Sequence, residues 1–329
     1  MRKIERVRAA LAGAAVDRPP YSFWTHLPGI DLDPVRLADA TAAFAARYDV
    51  DFVKSMPNGL YVVEDWGAAT DYSDIERGGV ARVVRPAVAT PDDWRRLAEV
   101  DVTQGAFGRE LEHLTRLTRA IGDGVPVLAT VFSPLTIASK LSNQQHRTHL
   151  ATVPGQLEGG LATITSVTCA FARAAIGAGC AGVFFAVQDA VEGVVDREAY
   201  RRFGEPFDRR VLAAAREAGS WFDVLHMHGE HVLFDLLAQY PVDALNWHIG
   251  ETPPAIADYR ASGGTRPIVG GMQRGHITRG DRDAVRADID RAMRESDGRG
   301  LLLAPACVIR HPVDAAVLQE TAAYIKGLA

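Results

Sequence analysis

Short runs that stay apolar at successive positions recur along the chain. Most are followed by stretches whose apolar positions return every three or four residues. The first pattern predicts strands buried on both faces, the second helices. Strands are expected at 21–26, 50–56, 126–132 and 182–187, in the stretch 221–230, and at 244–247, 267–270 and 300–304. Helices are expected at 2–12, closed by Gly13, and at 34–48, where Asp33 is a capping residue and Pro34 suits the first helical position. Others should span 105–121, 135–178 with an interruption between 146 and 154, 196–218 with a break at Gly204-Glu205-Pro206, and 313–325. Thr90-Pro91-Asp92-Asp93 predicts a short capped helix. Between 60 and 88 the pattern loosens around Gly67, Gly78 and Gly79 while Val80, Val83 and Val84 alternate, which predicts an excursion containing a hairpin. Eight short strands alternating with helices favour an α/β fold of the (β/α)8 TIM barrel type, one domain over 1–329 with an N-terminal helix. No Gly-x-Gly-x-x-Gly follows the first strand, which weighs against a dinucleotide-binding sheet.

The fifth strand changes the picture from fold to chemistry. Trp221-Phe222-Asp223-Val224-Leu225-His226-Met227-His228-Gly229-Glu230 is an apolar run that ends in two histidines and a glycine. Side chains alternate along a strand, so His226 and His228 share a face with Phe222 and Val224, while Met227 takes the other. If that face is the barrel interior, two imidazoles stand where the strand leaves the core. Other predicted strand ends also carry polar residues: His26, Ser133, Asp189, Asn246 with His248, and Gln273, with Cys307 just past the last strand. Barrel enzymes keep their chemistry at these ends.

Composition narrows the partners. The formal charge is −5 and no dense Lys/Arg block occurs, so neither nucleic acid nor an anionic membrane is expected as the main partner. The apolar stretch 160–187 contains Arg173 and several glycines, and is expected to be a buried helix and strand rather than a membrane span. Cys169 and Cys180 lie in apolar surroundings as expected inert thiols; three cysteines without a signal peptide suit a reducing cytoplasmic location.

Several segments, in order, resemble the uroporphyrinogen decarboxylase superfamily, which includes zinc-dependent corrinoid and thiol methyltransferases. They are Val16-Asp17-Arg18-Pro19-Pro20, the 86–97 segment, Ser133-Pro134-Leu135-Thr136-Ile137-Ala138-Ser139, Ile268-Val269-Gly270-Gly271 and 304–312. The resemblance implies a barrel enzyme, usually a homodimer, with its cleft at the strand C-terminal ends. Four substrate-holding groups of the true decarboxylases are missing. Thr25-His26-Leu27-Pro28-Gly29 stands in place of an arginine-rich loop, Lys54-Ser55-Met56 in place of a strand-two aspartate, and Lys140 in place of a tyrosine; a histidine near the last strand's end is also not where expected. Buried groups of a tetrapyrrole would lose their partners. The methyltransferase branch holds zinc with His-x-Cys after strand five and a cysteine after strand eight. By that resemblance His226, His228 and Cys307 are the metal ligands, with His228 where a cysteine is expected.

The expected activity is therefore alkyl transfer to a small thiol, with a corrinoid, or a corrinoid protein, as a methyl source. Replacing a thiolate by His228 makes the metal a stronger Lewis acid and its bound thiolate less nucleophilic, so metal-assisted water activation, a decarboxylase or lyase on another substrate, is the alternative. A third class is a barrel that binds a corrinoid or tetrapyrrole without turnover. His248 and Asp189 are the catalytic candidates, His248 as a cleft-lining donor or fourth ligand and Asp189 as a general base or the cap of the next helix. His26, Ser133, Asn246, Gln273 and Lys140 are the substrate-binding candidates, with an ordinary helix-surface role as the alternative for Lys140. His231 is expected to open a helix facing solvent; His113, His146, His149, His276 and His311 show no constellation.

Overall fold

The computed structural model describes residues 1–75 and 81–328. Seven parallel strands form one curled sheet: β1 (Val53–Lys54), β4 (Val127–Phe132), β5 (Gly182–Val187), β6 (Val224–Met227), β7 (Ala244–Trp247), β8 (Ile268–Met272) and β9 (Leu301–Pro305). Each strand pairs with the next of these in chain order. That order never reverses, which separates this α/β architecture from a doubly wound sheet. An antiparallel pair, β2 (Ala69–Asp71) and β3 (Arg82–Arg85), is the expected hairpin; Gly78, Gly79 and Val80 lie outside the described residues.

The expected first strand is where the structure departs from the reading. Residues 21–26 make two isolated bridges, Tyr21 to Leu303 and Thr25 to Ile309, rather than a strand. Pro20 O still accepts from Leu303 N (2.8 Å), so the edge is touched at separate points without a continuous ladder. The segment nevertheless lies between the two sheet edges. Ser22 N donates to Leu303 O (3.0 Å), and Asp51 N donates to Tyr21 O (2.8 Å). The second strand is likewise shorter than expected, with only Val53–Lys54 in the ladder.

Helices match their signals closely. Pro34–Tyr48 is capped by the Asp33 carboxylate, which accepts from Val35 N and Arg36 N at 3.0 Å each. Thr90 and Asp93 cap a 3-10 helix, Pro91–Arg96. The expected break at Gly204 divides Arg197–Phe203 from Glu205–Glu217. Pro154–Gly177 is long and apolar enough to cross a membrane by length and composition, yet it packs against Glu205–Glu217 and β4. Cys169 and Cys180 are buried free thiols, as expected.

Strand parity sorts the core into two bodies. Trp24, Phe52, Leu128, Phe184, Phe222, Val224, Val269 and Leu302 form an interior cluster, joined by Val7 and Ala10 of the N-terminal helix Lys3–Leu11. Leu225 and Met227 belong instead to the outer cluster, beneath the helices. The helix Lys3–Leu11 thus covers the end of the interior where the strands begin. The end where they finish stays open.

Candidate metal centre

His226 and His228 emerge on the interior side of β6, one turn of pleat above Val224, as the alternation requires. Gly229 then turns the chain at φ +113, and a Cβ there would lie 3.0 Å from Val191. Cys307 arrives from the loop after β9. Its Sγ lies 3.8 Å from His226 Nε2 and 3.6 Å from His228 Nδ1, although the residues stand 81 and 79 positions apart. His248, just past β7, completes a group of four whose ligand atoms all lie within 4.8 Å of one another. Neighbouring ligands of tetrahedral zinc stand about 3.4–3.6 Å apart, given bonds of about 2.0–2.3 Å. The Sγ–N separations therefore need only a few tenths of an ångström of contraction.

The protonation states suit a cation. Asn246 lies opposite His226 in the β6–β7 register, and its Nδ2 donates to Val269 O (2.6 Å). That bond turns Asn246 Oδ1 toward His226 Nδ1, with which it is paired. An amide oxygen only accepts, so Nδ1 carries the ring proton and Nε2 presents a lone pair toward Cys307. Burial, followed by the neighbouring rings His228 and His248, holds His226 well below the ordinary imidazole range. Burial likewise brings His228 down to about 4 and His248 to about 3. All three imidazoles are neutral at pH 7. The Nε2 of His248 is buried without a hydrogen-bond partner among the described residues, a donor set aside for something the protein itself does not supply. Burial pushes the Cys307 thiol up, so the proton on sulfur is the one a metal must displace.

His226, His228 and Cys307 form one corner of a cavity of about 320 Å³ lined by His26, Lys54, Lys140, Arg274, Arg310 and Asp31, among others; His248, the expected cleft-lining donor, stands behind them and outside the cavity wall. His26 lines this cavity; burial, followed by Lys54, Arg310 and Lys140, lowers it to about 4. Lys140 also lines it, so the helix-surface alternative falls: its helix, Pro134–Leu141, is buried on nearly every side. Three of the residues expected to bind substrate stand elsewhere. Asn246 is wholly buried, with both amide atoms engaged in holding His226 and the β8 backbone. Ser133 is wholly buried and outside the cavity wall. Gln273 is drawn to Asp288, which accepts from its backbone N at 2.9 Å and its Nε2 at 3.1 Å. Asp189 is no helix cap, a role Asp196 takes; its carboxylate lies 3.2 Å from His146 Nε2, a proximity the sequence did not suggest and one without hydrogen-bond geometry. His231 is exposed, as expected, but at φ +52 it precedes the helix Phe234–Leu237 rather than opening it. Lys54 went unread as a site residue, noted only as a replacement. A lysine in an apolar strand was the available signal.

Comparison with known proteins bears on the frame around this corner. No curated protein matches the chain. A methyltransferase from Methanosarcina mazei has a similar fold, with a TM-score of 0.85 and 19% identity over 99% of each chain. A B12-independent methionine synthase from Shewanella sp. W3-18-1 is more distant, with a TM-score of 0.57 and 13% identity over 96% of this chain and 95% of that one. Residues 2–327 match the model for uroporphyrinogen decarboxylase (URO-D), and with nearly its whole length spanned, the chain belongs to the URO-D family.

Proposed function

We propose that the protein is a zinc-dependent alkyltransferase that activates a small thiol. The observation that carries this reading is the meeting of one thiol and three neutral imidazoles at the open end of the interior. His226, His228 and Cys307 would hold the ion, with His248 available as a fourth ligand. Zinc bound there supplies Lewis acidity that lowers the pKa of a coordinated thiol, giving a thiolate at neutral pH. The residues around it prepare for this. Asn246 fixes the His226 tautomer, and the Phe184 ring stacks on His226 at 5.2 Å, restricting its rotation. His228, half-buried while the other three are buried, lies toward the cavity where the acceptor enters. Solved methyltransferases of similar fold support alkyl transfer as the chemistry, and a corrinoid is the methyl donor we assign; assembly as a homodimer is part of the same reading.

A second reading, a metal-assisted carboxy-lyase, is favoured by one observation: with three imidazoles and a single thiolate, a bound dication keeps a net positive charge. One experiment separates the two. Zinc-loaded protein is mixed with methylcobalamin and 2-mercaptoethanol, and loss of the methyl–cobalt absorbance is followed alongside formation of the S-methyl product. Transfer that depends on zinc and disappears in Cys307→Ala supports thiol alkylation. A zinc protein that leaves both compounds unchanged but decarboxylates small acids establishes the second reading.

A further inference from the structure

Two lysines stand in the cavity wall with no acid in ion-pair contact among the described residues, Asp189 acting on Lys140 only from farther off. Lys54, at the C-terminal end of β1, is only 6% exposed. Its ammonium contacts Ser55 O (3.3 Å) and Met56 Sδ (2.9 Å) and lies 4.8 Å from the centre of the Phe184 ring. Lys140 lies 4.9 Å from the centre of Phe132. Neither makes an ion pair with a described residue. Arg310, exposed at the rim of the same wall, also makes no ion pair with a described residue, and Arg274 has Glu251 alone among them, at 3.6 Å. Lys54, Lys140 and Arg310 all act on the one imidazole of His26, so their charges converge rather than scatter. Against them the described lining offers a single carboxylate, Asp31, whose own burial favours its neutral form.

An unpaired ammonium in an apolar wall is costly, and aromatic faces offset only part of that cost. On the same short stretch a buried charge of the other sign is fully paired: Asp51 takes Arg6 and Arg18 at 2.7 and 2.6 Å. The cavity's positive charge is thus set out for a ligand. By the family resemblance, Lys54-Ser55-Met56 stands in place of an aspartate and Lys140 in place of a tyrosine, so the wall has gained positive charge. Phe184 touches both Lys54 and His226, which sets the charged wall directly beside the metal corner.

We propose that the substrate of this pocket is a small organic anion, and that Lys54 and Lys140 hold its oxyanion group while its reacting atom faces Cys307 and the histidines. This rests on the pocket being the acceptor's site, as proposed above. The experiment is calorimetric titration of the zinc-loaded full-length protein with four probes. These are 3-mercaptopropionate (thiol and carboxylate), propionate (carboxylate alone), 2-mercaptoethanol (thiol alone) and cysteamine (thiol and ammonium). The mercaptocarboxylate is expected to bind at least about tenfold tighter than 2-mercaptoethanol, and cysteamine weakest. Lys54→Met and Lys140→Met should each remove about tenfold from the carboxylates and leave 2-mercaptoethanol unchanged, while Lys140→Arg retains most of the affinity. Equal affinity for charged and neutral thiols, or folded lysine variants that bind 3-mercaptopropionate like wild type, overturns the proposal. A thiol that adds nothing to a lysine-dependent carboxylate affinity leaves the anion site standing and removes the thiol-activation reading instead. If Lys54→Met does not fold, Lys140→Met and Lys140→Arg carry the test.

Discussion

Asp51 and Lys54 are three residues apart on one short stretch, both buried, and their charges are treated in opposite ways. Asp51 has no exposed surface, and every oxygen is used: Arg6, Arg18 and the backbone N of Tyr21 donate to it at 2.6–3.1 Å. It ties the N-terminal helix and residues 18–21 to the start of β1. Lys54, at the other end of β1, has no acid partner among the described residues and faces a cavity. The strand's beginning is built to be complete and its end to be completed by something else. The same division runs through the barrel type, where the bottom serves stability and the top chemistry. A buried charge is thus diagnostic by its partners, not by its burial.

Substitutions at the two ends should separate cleanly. The largest effect is expected at the top: Cys307→Ala or His226→Ala should abolish zinc binding and all thiol alkylation above the uncatalysed rate, with the fold retained by circular dichroism. At the bottom, Asp51→Ala leaves Arg18 without an acid and Arg6 with Asp17 alone, and should cost about 3–5 kcal/mol in urea unfolding. Zinc per folded chain should not change. Asn246→Ala sharpens the comparison, since it frees the His226 tautomer without removing a ligand; zinc affinity should fall about 10–100-fold in chelator competition.

The smallest effect is a pH dependence. Burial brings Lys54 down to about 7 and Lys140 to about 8. Both lose their proton as pH rises from 7 to 9, whereas an ordinary lysine keeps it until about 10.4. The sign follows: carboxylate affinity should weaken across that range by about tenfold, measured by titration of 3-mercaptopropionate. Affinity that stays flat to pH 9 would place the lysines in contact with solvent, or outside the binding step.

What the chain's pattern revealed is what depends on spacing alone. Period-two alternation put His226 and His228 on the interior face, and the succession of strands and helices put Cys307 at the same end of the sheet as β6. Fold class followed from that succession, except at residues 21–26, where the expected strand is two isolated bridges. Partnership across the sheet was not legible. Asn246 looked like a substrate ligand because only the β6–β7 register sets it opposite His226. Lys140 was ambiguous because a helix buried on nearly all sides has no polar face to betray its orientation. Lys54 lacked context until the cavity around it was visible, and His146 met Asp189 through tertiary packing that no local pattern encodes.

The most direct test of the metal centre is zinc-edge X-ray absorption on the full-length protein purified without chelators and loaded to one zinc per chain. A first shell of one sulfur at about 2.3 Å with two or three nitrogens at about 2.0–2.1 Å is the predicted result. A shell without sulfur, or a protein that retains no zinc, would contradict coordination by Cys307 with the two β6 histidines.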